Sequence, residues 1–231
     1  MECGNIQSLW RYPVKSLIGE ALDTLEVDAR GVVGDRLYGI STRDGKLGSG
    51  KDTGRFRRID GLFSLSAARN EAGVSISFSD GTTLTDKDAT INDKLSEVLG
   101  HEVKLTLESE IPHFDNAPVH ILTSHCLSTL HKELPGNKLD ECRFRPNIVL
   151  NTSLTDDELI GNLIEVGDVI LHLTKPTKRC RMITLAQPGL DLRPDLLNVI
   201  SQKFGLHFGV YASVVSPGTL SIGDKVEVSR K

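Results

Sequence analysis

Residues 166–184 read V-G-D-V-I-L-H-L-T-K-P-T-K-R-C-R-M-I-T. The alternating apolar part, Val169 to Leu173, predicts a half-buried β-strand. The strand runs into Thr174–Thr184, where Lys175, Lys178, Arg179 and Arg181 crowd around Cys180. A thiol acts as nucleophile or soft-metal ligand only as thiolate, and nearby cations favour that anion. The same cations can hold a phosphate beside the sulfur. Two readings are open at this point: an activated cysteine next to an anion pocket, or a half-buried core cysteine whose basic neighbours face water. Taken alone, the stretch favours the second, because free cysteine is among the most buried residue types.

Outward from this stretch the chain reads as many short strands with few helices. Strands are expected at Ile6–Trp10, Glu20–Val27, Arg36–Ser41, Leu62–Leu65, Val103–Leu107, His120–Leu122, Arg143–Leu150, Met182–Leu185, Val210–Val215 and Lys225–Val228. Asp44-Gly45 and Asp80-Gly81 are hairpin signals, the second between Val74–Phe78 and Thr82–Thr85. Helices are expected over Lys87–Leu99, ending at Gly100, over Ser124–Leu134, capped by Thr123, and from Pro194 to near Gly205. Gly48–Gly54 reads as a mobile Gly-rich loop, and Pro146 as an edge or bulge position. The expected fold class is mainly β with peripheral helices, barrel-like or sandwich, with a boundary in the irregular stretch Ser109–Pro118.

With 231 residues, 39% hydrophobic and 25% charged, the chain has the composition of an ordinary globular protein. A net charge of −4 argues against general nucleic-acid or acidic-membrane binding, so any anion site must be a local basic cluster. Cysteines 3, 126, 142 and 180 form no C-x-x-C pair, and the histidines show no ligand spacing. No secretory signal and no membrane-spanning stretch is apparent, and a soluble protein with reduced thiols in the cytoplasm is expected.

Lys15-Ser16 follows a Pro-containing turn, and Arg36 follows Gly34-Asp35. On a strand, Arg143, Arg145 and Asn147 would line one face. Thr123 and Ser124 open a helix, where free N–H groups can cradle an anion. Each has an ordinary explanation: a solvated lysine, a surface ion pair, a solvent-facing strand, a simple cap. The basic stretch Lys51–Arg58 would ordinarily be a solvated loop, and with 5% aromatics it offers few stacking platforms for single-stranded nucleic acid. A cysteine-nucleophile hydrolase would need a partner base such as His172 or His207, which the sequence does not bring near Cys180.

Together, R-Y-P-V-K-S-L-I-G-E, G-V-V-G-D-R, R-F-R-P-N-I-V, K-R-C, F-G-V-Y and P-G-T-L-S-I-G-D occur in an order that resembles the MOSC proteins (molybdenum cofactor sulfurase C-terminal domain). The nearest patterns are the mitochondrial amidoxime-reducing components and the YcbX-type proteins. The resemblance implies an N-terminal β-barrel-like domain over 1–110 and a MOSC β-barrel over 111–231. It implies a molybdenum cofactor (Mo-molybdopterin) between them, with Cys180 as metal ligand and catalytic position. Lys15, Ser16, Arg36, Arg145, Asn147, Lys178, Arg179 and Tyr211 match cofactor-contacting positions, and Thr123 and Ser124 match them more loosely. Lys178 departs from the serine frequent in amidoxime reducers, and Cys126 is expected to be structural. Pyridoxal phosphate binding is a further property associated with such proteins. The implied function is reduction of small N-oxygenated compounds, with electrons from a separate redox protein and no nucleic-acid or membrane partner. The alternative is a carrier of the cofactor, or of sulfur as a persulfide on Cys180.

Overall fold

The computed structural model of the chain describes residues 2–71, 73–134 and 139–229. Its strands, in chain order, are β1 (Glu2–Arg11), β2 (Glu20–Leu22), β3 (Thr24–Asp28), β4 (Gly31–Val32), β5 (Tyr38–Thr42) and β6 (Leu47–Ser49). They continue as β7 (Phe56–Arg58), β8 (Ser66–Asn70), β9 (Gly73–Ser77), β10 (Thr83–Thr85), β11 (Val103–Leu107) and β12 (Val119–Thr123). The last six are β13 (Ile148–Asn151), β14 (Leu163–Val166), β15 (Val169–Lys178), β16 (His207–Ser216), β17 (Gly218–Ser221) and β18 (Lys225–Ser229). The helices are α1 (Ile91–Leu99), α2 (Ser124–Glu133), α3 (Asp156–Leu159) and α4 (Leu196–Phe204).

The fold is mainly β and is built on a closed barrel. Strands β13, β12, β16, β15, β14, β18 and β1 pair in that order, and β13 pairs with β1 to close the ring. Closure leaves no free edge among these strands. Alternation drives it: Ile6, Leu150, Ile164, Leu171, Leu173, Val210, Ala212 and Val226 point inward and are almost fully buried in one cluster. The N-terminal strand β1 thus belongs to the same barrel as the C-terminal strands, and β2 pairs with its end at Leu9–Arg11.

The rest of the first half forms smaller sheets. Strands β11, β5, β6 and β7 make one, and β8 to β10 another. They close with α1 over a second core of Val14, Leu17, Ile40, Leu65, Ile76 and Leu95. A third cluster, with Phe144, Phe208, Leu130 and Ile200, lies beneath α2 and α4.

Both hairpin signals, the helices and most strands lie where the sequence places them. Thr123 Oγ1 accepts the Cys126 N–H and caps α2, and Gly100 and Gly205 end α1 and α4 in the left-handed conformation. Several expectations are corrected. Leu62–Ser64 is a 3-10 turn rather than a strand, because Gly61 (φ 85°) turns the chain and Leu62 and Phe63 are buried consecutively. Met182–Leu185 is not a strand: Arg181–Thr184 forms a 3-10 turn. The expected strand Arg143–Leu150 begins only at Ile148; Asp140 caps a 3-10 turn over Glu141–Phe144, and Arg145 follows it in the left-handed region. Arg143, Arg145 and Asn147 therefore do not share a strand face. Glu20–Val27 is divided into β2 and β3. Gly48 and Ser49 belong to β6 and are buried, not part of a mobile loop.

Candidate functional site

Three features of the chain carry the candidate site to one place. The long strand β15 is interrupted by register shifts at Ile170/Leu171, Leu173/Lys175 and Pro176/Lys178, and such bulges bend a strand at a barrel rim. Its end delivers Arg179 and Cys180. The segment after β1 crosses the segment before β5: Arg36 donates its N–H to the Tyr12 carbonyl at 2.7 Å, and Lys15 to the Tyr38 carbonyl at 2.8 Å. That crossing delivers Lys15, Ser16 and Arg36. The 3-10 turn before β13 delivers Arg145. These residues, with Lys178 and Tyr211, line one cleft.

The backbone there is unusual. Among the described residues, four other than glycine have positive φ, and three of them are Ser16 (66°), Arg36 (48°) and Arg145 (55°). A left-handed conformation costs a non-glycine residue about 1–2 kcal/mol, and such strain clusters at functional sites. Here it turns three predicted side chains toward one cavity.

Each guanidinium is held by its neighbours, and two keep a free donor. Arg36 pairs through Nη1 with the Asp35 carboxylate, which also accepts the Tyr12 N–H at 2.8 Å. Its Nη2 donates to the Arg145 carbonyl at 3.3 Å. Burial opposes the Arg36 charge, but Asp35 outweighs it and raises the pKa. Arg145 donates through Nη1 to the Leu17 carbonyl and stacks on the Tyr12 ring at 4.2 Å, with Arg36 at 5.1 Å from the same ring. Burial, then Arg36, pulls Arg145 down to about 10. Arg179 reaches the Phe144 carbonyl through Nη2 at 2.6 Å and His120 Nε2 through Nη1 at 3.3 Å. Arg145 Nη2 and Arg179 Nε are buried without a partner. An unpaired buried donor is costly, so two of them beside a cavity suit an anionic or polar ligand.

Lys15 is 3% exposed, pairs with Asp115 at 3.1 Å and lies 4.7 Å from the Phe56 ring centre. Burial lowers its pKa to about 8 despite the favourable Asp115 charge. Burial would raise Asp115, whose side chain is half exposed, but Lys15 and then Lys51 hold it below the ordinary carboxylate range.

Thr123, Ser124 and Asn147 do not line the cleft. Thr123 is the α2 cap, and Ser124 Oγ donates to the Thr152 carbonyl at 3.0 Å. Asn147 stands behind the site: its Oδ1 accepts the His120 N–H at 3.1 Å and its Nδ2 donates to the Trp10 carbonyl at 3.3 Å. Lys178 lines the mouth and is exposed. Cys180 is half-buried in the wall, and Cys126 is buried and donates to Asp156 at 3.2 Å.

Sequence reasoning missed His120, Asp115 and Tyr12. His120 Nδ1 lies 3.2 Å from the Arg145 carbonyl, which only accepts, so Nδ1 carries the proton and Nε2 accepts from Arg179. Burial and then Arg179 push its pKa well down, so the ring is neutral. The available signal was F-G-V-Y: a Cβ on Gly209 (φ 88°) would lie 2.4 Å from His120 Nε2, so glycine admits the ring. His172 and His207 are not in the cleft lining. The charges of Lys51–Arg58 are largely paired, with Asp115, Asp44, Asp60 and the Phe114 carbonyl.

Residues 90–227 match the MOSC domain, and residues 3–112 match the MOSC N-terminal beta barrel domain. The chain belongs to the MOSC family. This MOSC protein is 36% identical over 92 residues to the molybdenum cofactor sulfurase of Drosophila ananassae, across 37% of the chain and 12% of the relative. It is 30% identical over 109 residues to that of Drosophila melanogaster, across 46% of the chain and 14% of the relative. The chain thus spans about an eighth of the length of these relatives. The YUAD protein of Bacillus subtilis has the same fold, with a TM-score of 0.58 at 14% identity, over 99% of this chain and 96% of that one. The family and these relatives associate the MOSC protein with molybdenum cofactor chemistry.

The residues present fit that group. No cluster of three or more metal-ligating side chains occurs among the described residues. A metal that arrives with its own sulfur ligands needs only one from the protein, and Cys180 offers a thiol in the wall of a cationic cleft. No helix of the described residues is long and apolar enough to cross a membrane.

Proposed function

We propose that this MOSC protein binds molybdenum cofactor in the cleft and reduces small N-oxygenated compounds. The observation that carries the proposal is the pair of unpartnered buried donors, Arg145 Nη2 and Arg179 Nε, in a cleft whose wall holds the Cys180 thiol. Cys180 would be the metal ligand. Lys15, Arg36, Arg145 and Arg179 would hold the phosphate and the polar pterin, with Ser16 and Tyr211 as neutral contacts and Lys178 at the mouth. Removal of oxygen from an N–OH group as water consumes two electrons and two protons, and when bound the cofactor supplies the two-electron chemistry. The electrons would come from a separate redox protein. The chain's own part is orientation and charge: Asp35, Asn147 and His120 fix the guanidiniums, and burial keeps His120 neutral. Lys15, with a pKa of about 8, still carries its proton at neutral pH and so meets the anionic group as a cation. Pyridoxal phosphate binding forms no part of this proposal, and a cytoplasmic location remains an expectation from the sequence.

A second function is favoured by the similarity to molybdenum cofactor sulfurases: the protein carries the cofactor, or persulfide sulfur on Cys180, to another enzyme. Expression in a host that makes molybdenum cofactor separates the two. Near-stoichiometric molybdenum, lost in Cys180→Ser, with reduction of hydroxylamine-type substrates by a supplied electron donor, supports the enzyme. Molybdenum without turnover supports a carrier. Well-folded protein lacking both metal and pterin refutes cofactor binding.

A further inference from the structure

Beside the cleft lies a second depression that the cofactor assignment does not use. It runs between the 3-10 turn Leu62–Ser64 and the segment from Met182 to Pro188. Met182 lines both the cleft and this groove, so the two adjoin across that side chain. The groove lining is largely apolar, with Leu62, Phe63, Met182, Leu185 and Pro188. Methionine is the most adaptable of these to ligand shape, and its sulfur packs well against aromatic edges.

Four polar residues also line it: Asp60, Ser64, Ser79 and Gln187. Gln187 lines the groove and is 9% exposed, yet its Nε2 has no hydrogen-bond partner. Its backbone is fixed by reciprocal bonds with Leu190, Gln187 N–H to the Leu190 carbonyl at 2.9 Å and the reverse at 2.8 Å. A buried amide N–H without a partner costs free energy that a ligand acceptor would recover. Of the other polar lining residues, Asp60 lies 3.8 Å from Arg181, which answers its charge at the groove's edge.

We propose that this groove binds the apolar, preferably aromatic, body of a small organic ligand, with a carbonyl-type acceptor on Gln187 Nε2, and that the ligand is the substrate whose N–O group reaches the cleft past Met182. Only the last clause rests on the proposed function. The chemistry of the lining sets the class: a flat ring to cover the exposed parts of Met182, Leu185 and Pro188, and one acceptor for the amide.

The test has two arms. In the first, benzamide, which has the ring and acceptor but no N–O group, is titrated into cofactor-free full-length protein, with acetamide as control. Benzamide should shift the NMR signals of the Gln187 side-chain amide and the Met182 methyl, while acetamide should not. The benzamide shifts should be lost in Leu185→Asp, whose folding is checked by its remaining spectrum, and in Gln187→Met the Met182 methyl should respond only at higher benzamide concentration. In the second arm, cofactor-loaded protein is assayed with benzohydroxamic and acetohydroxamic acids. Wild type should show a KM about tenfold lower for the aromatic substrate, and Leu185→Asp should abolish that ratio without a matching change in kcat. Absence of benzamide shifts at Gln187 and Met182 overturns the groove, as does equal KM for the two hydroxamates in an active enzyme. Benzamide binding in a protein that reduces neither hydroxamate leaves the groove standing and refutes the proposed function instead.

Discussion

Replacing Lys15 by methionine should make the cofactor-free protein more stable at neutral pH. Lys15 is held in a buried cationic cleft, and its pKa falls from the ordinary 10.5 to about 8. That value already includes the help of Asp115 at 3.1 Å. At about 1.4 kcal/mol per pKa unit, holding the charge there costs roughly 3 kcal/mol at pH 7. The cost is fully present below about pH 8, where Lys15 is protonated in both states. Between about pH 8 and 10.5 the unfolded chain binds the proton and the folded one does not, so this contribution to stability rises with pH. Above that window Lys15 is neutral in both states and the cost has vanished. Methionine keeps the length and apolar stem while removing the charge. Lys15→Met should therefore be more stable than wild type by about 2–3 kcal/mol at pH 7, with the advantage shrinking by a similar amount by about pH 10.5.

Urea unfolding of both proteins at several pH values measures this directly. The comparison must be a difference, because burial also raises Tyr12, Cys126 and Cys142, whose thiol and phenol protons oppose the trend at alkaline pH. Subtracting variant from wild type cancels them. A variant less stable than wild type at pH 7, or a difference that is flat with pH, would refute the idea that burial depresses Lys15. The same variant should hold less molybdenum cofactor if Lys15 binds its phosphate, so stability and loading should move in opposite directions.

Thr123→Ala should cost about 1 kcal/mol in chemical denaturation through loss of the α2 cap, without changing cofactor content in a loaded preparation. Phe144→Ala should cost about 3–5 kcal/mol, because Phe144 is 1% exposed and stacks on Phe208 at a 4.6 Å centroid distance. Its ring also lines the cleft and lies 5.5 Å from the Arg179 guanidinium, so reduced loading should accompany the destabilisation. His120 is neutral because its folded pKa lies well below the ordinary 6.5. As pH falls through about 6.5 the unfolded chain gains a proton that the folded chain refuses, so stability drops; His120→Gln should flatten that part of the curve.

Much of the fold was legible because its signals are local. Alternation in β1, β15 and β16, the Asp-Gly hairpins and the glycine caps of α1 and α4 depend on a few adjacent residues. The failures share a cause. Leu62–Leu65, Arg143–Arg145 and Met182–Leu185 are short apolar or mixed runs, which periodicity cannot separate into strand and 3-10 turn. In each case the deciding element was remote or terminal: Gly61 turning the chain, Asp140 capping Cys142, or β15 ending at Lys178.

The site shows the same division at the level of chemistry. Lys15, Arg36, Arg145, Arg179 and Cys180 were visible as residue types that suit an anion beside a soft metal. What gathers them was not. Arg145 joins the cluster because it leaves the strand expected for it and takes a left-handed conformation, its carbonyl accepting from His120 and from Arg36. No propensity favours arginine at φ 55°, so the neighbours must hold it there. Ser16 and Arg36 are in the same position, and Asp35, Asn147, His120 and Gly209 are the residues that impose the geometry. The strain at three cleft residues and the buried charge of Lys15 both oppose folding, and both would be offset when an anion completes the cleft. The cofactor-free protein should accordingly gain stability on binding a suitable anion, by an amount that rises with ligand concentration. Thermal unfolding with added phosphate reports it: Tm should rise for wild type and much less for Lys15→Met, whereas equal shifts in both would mean that phosphate binds elsewhere.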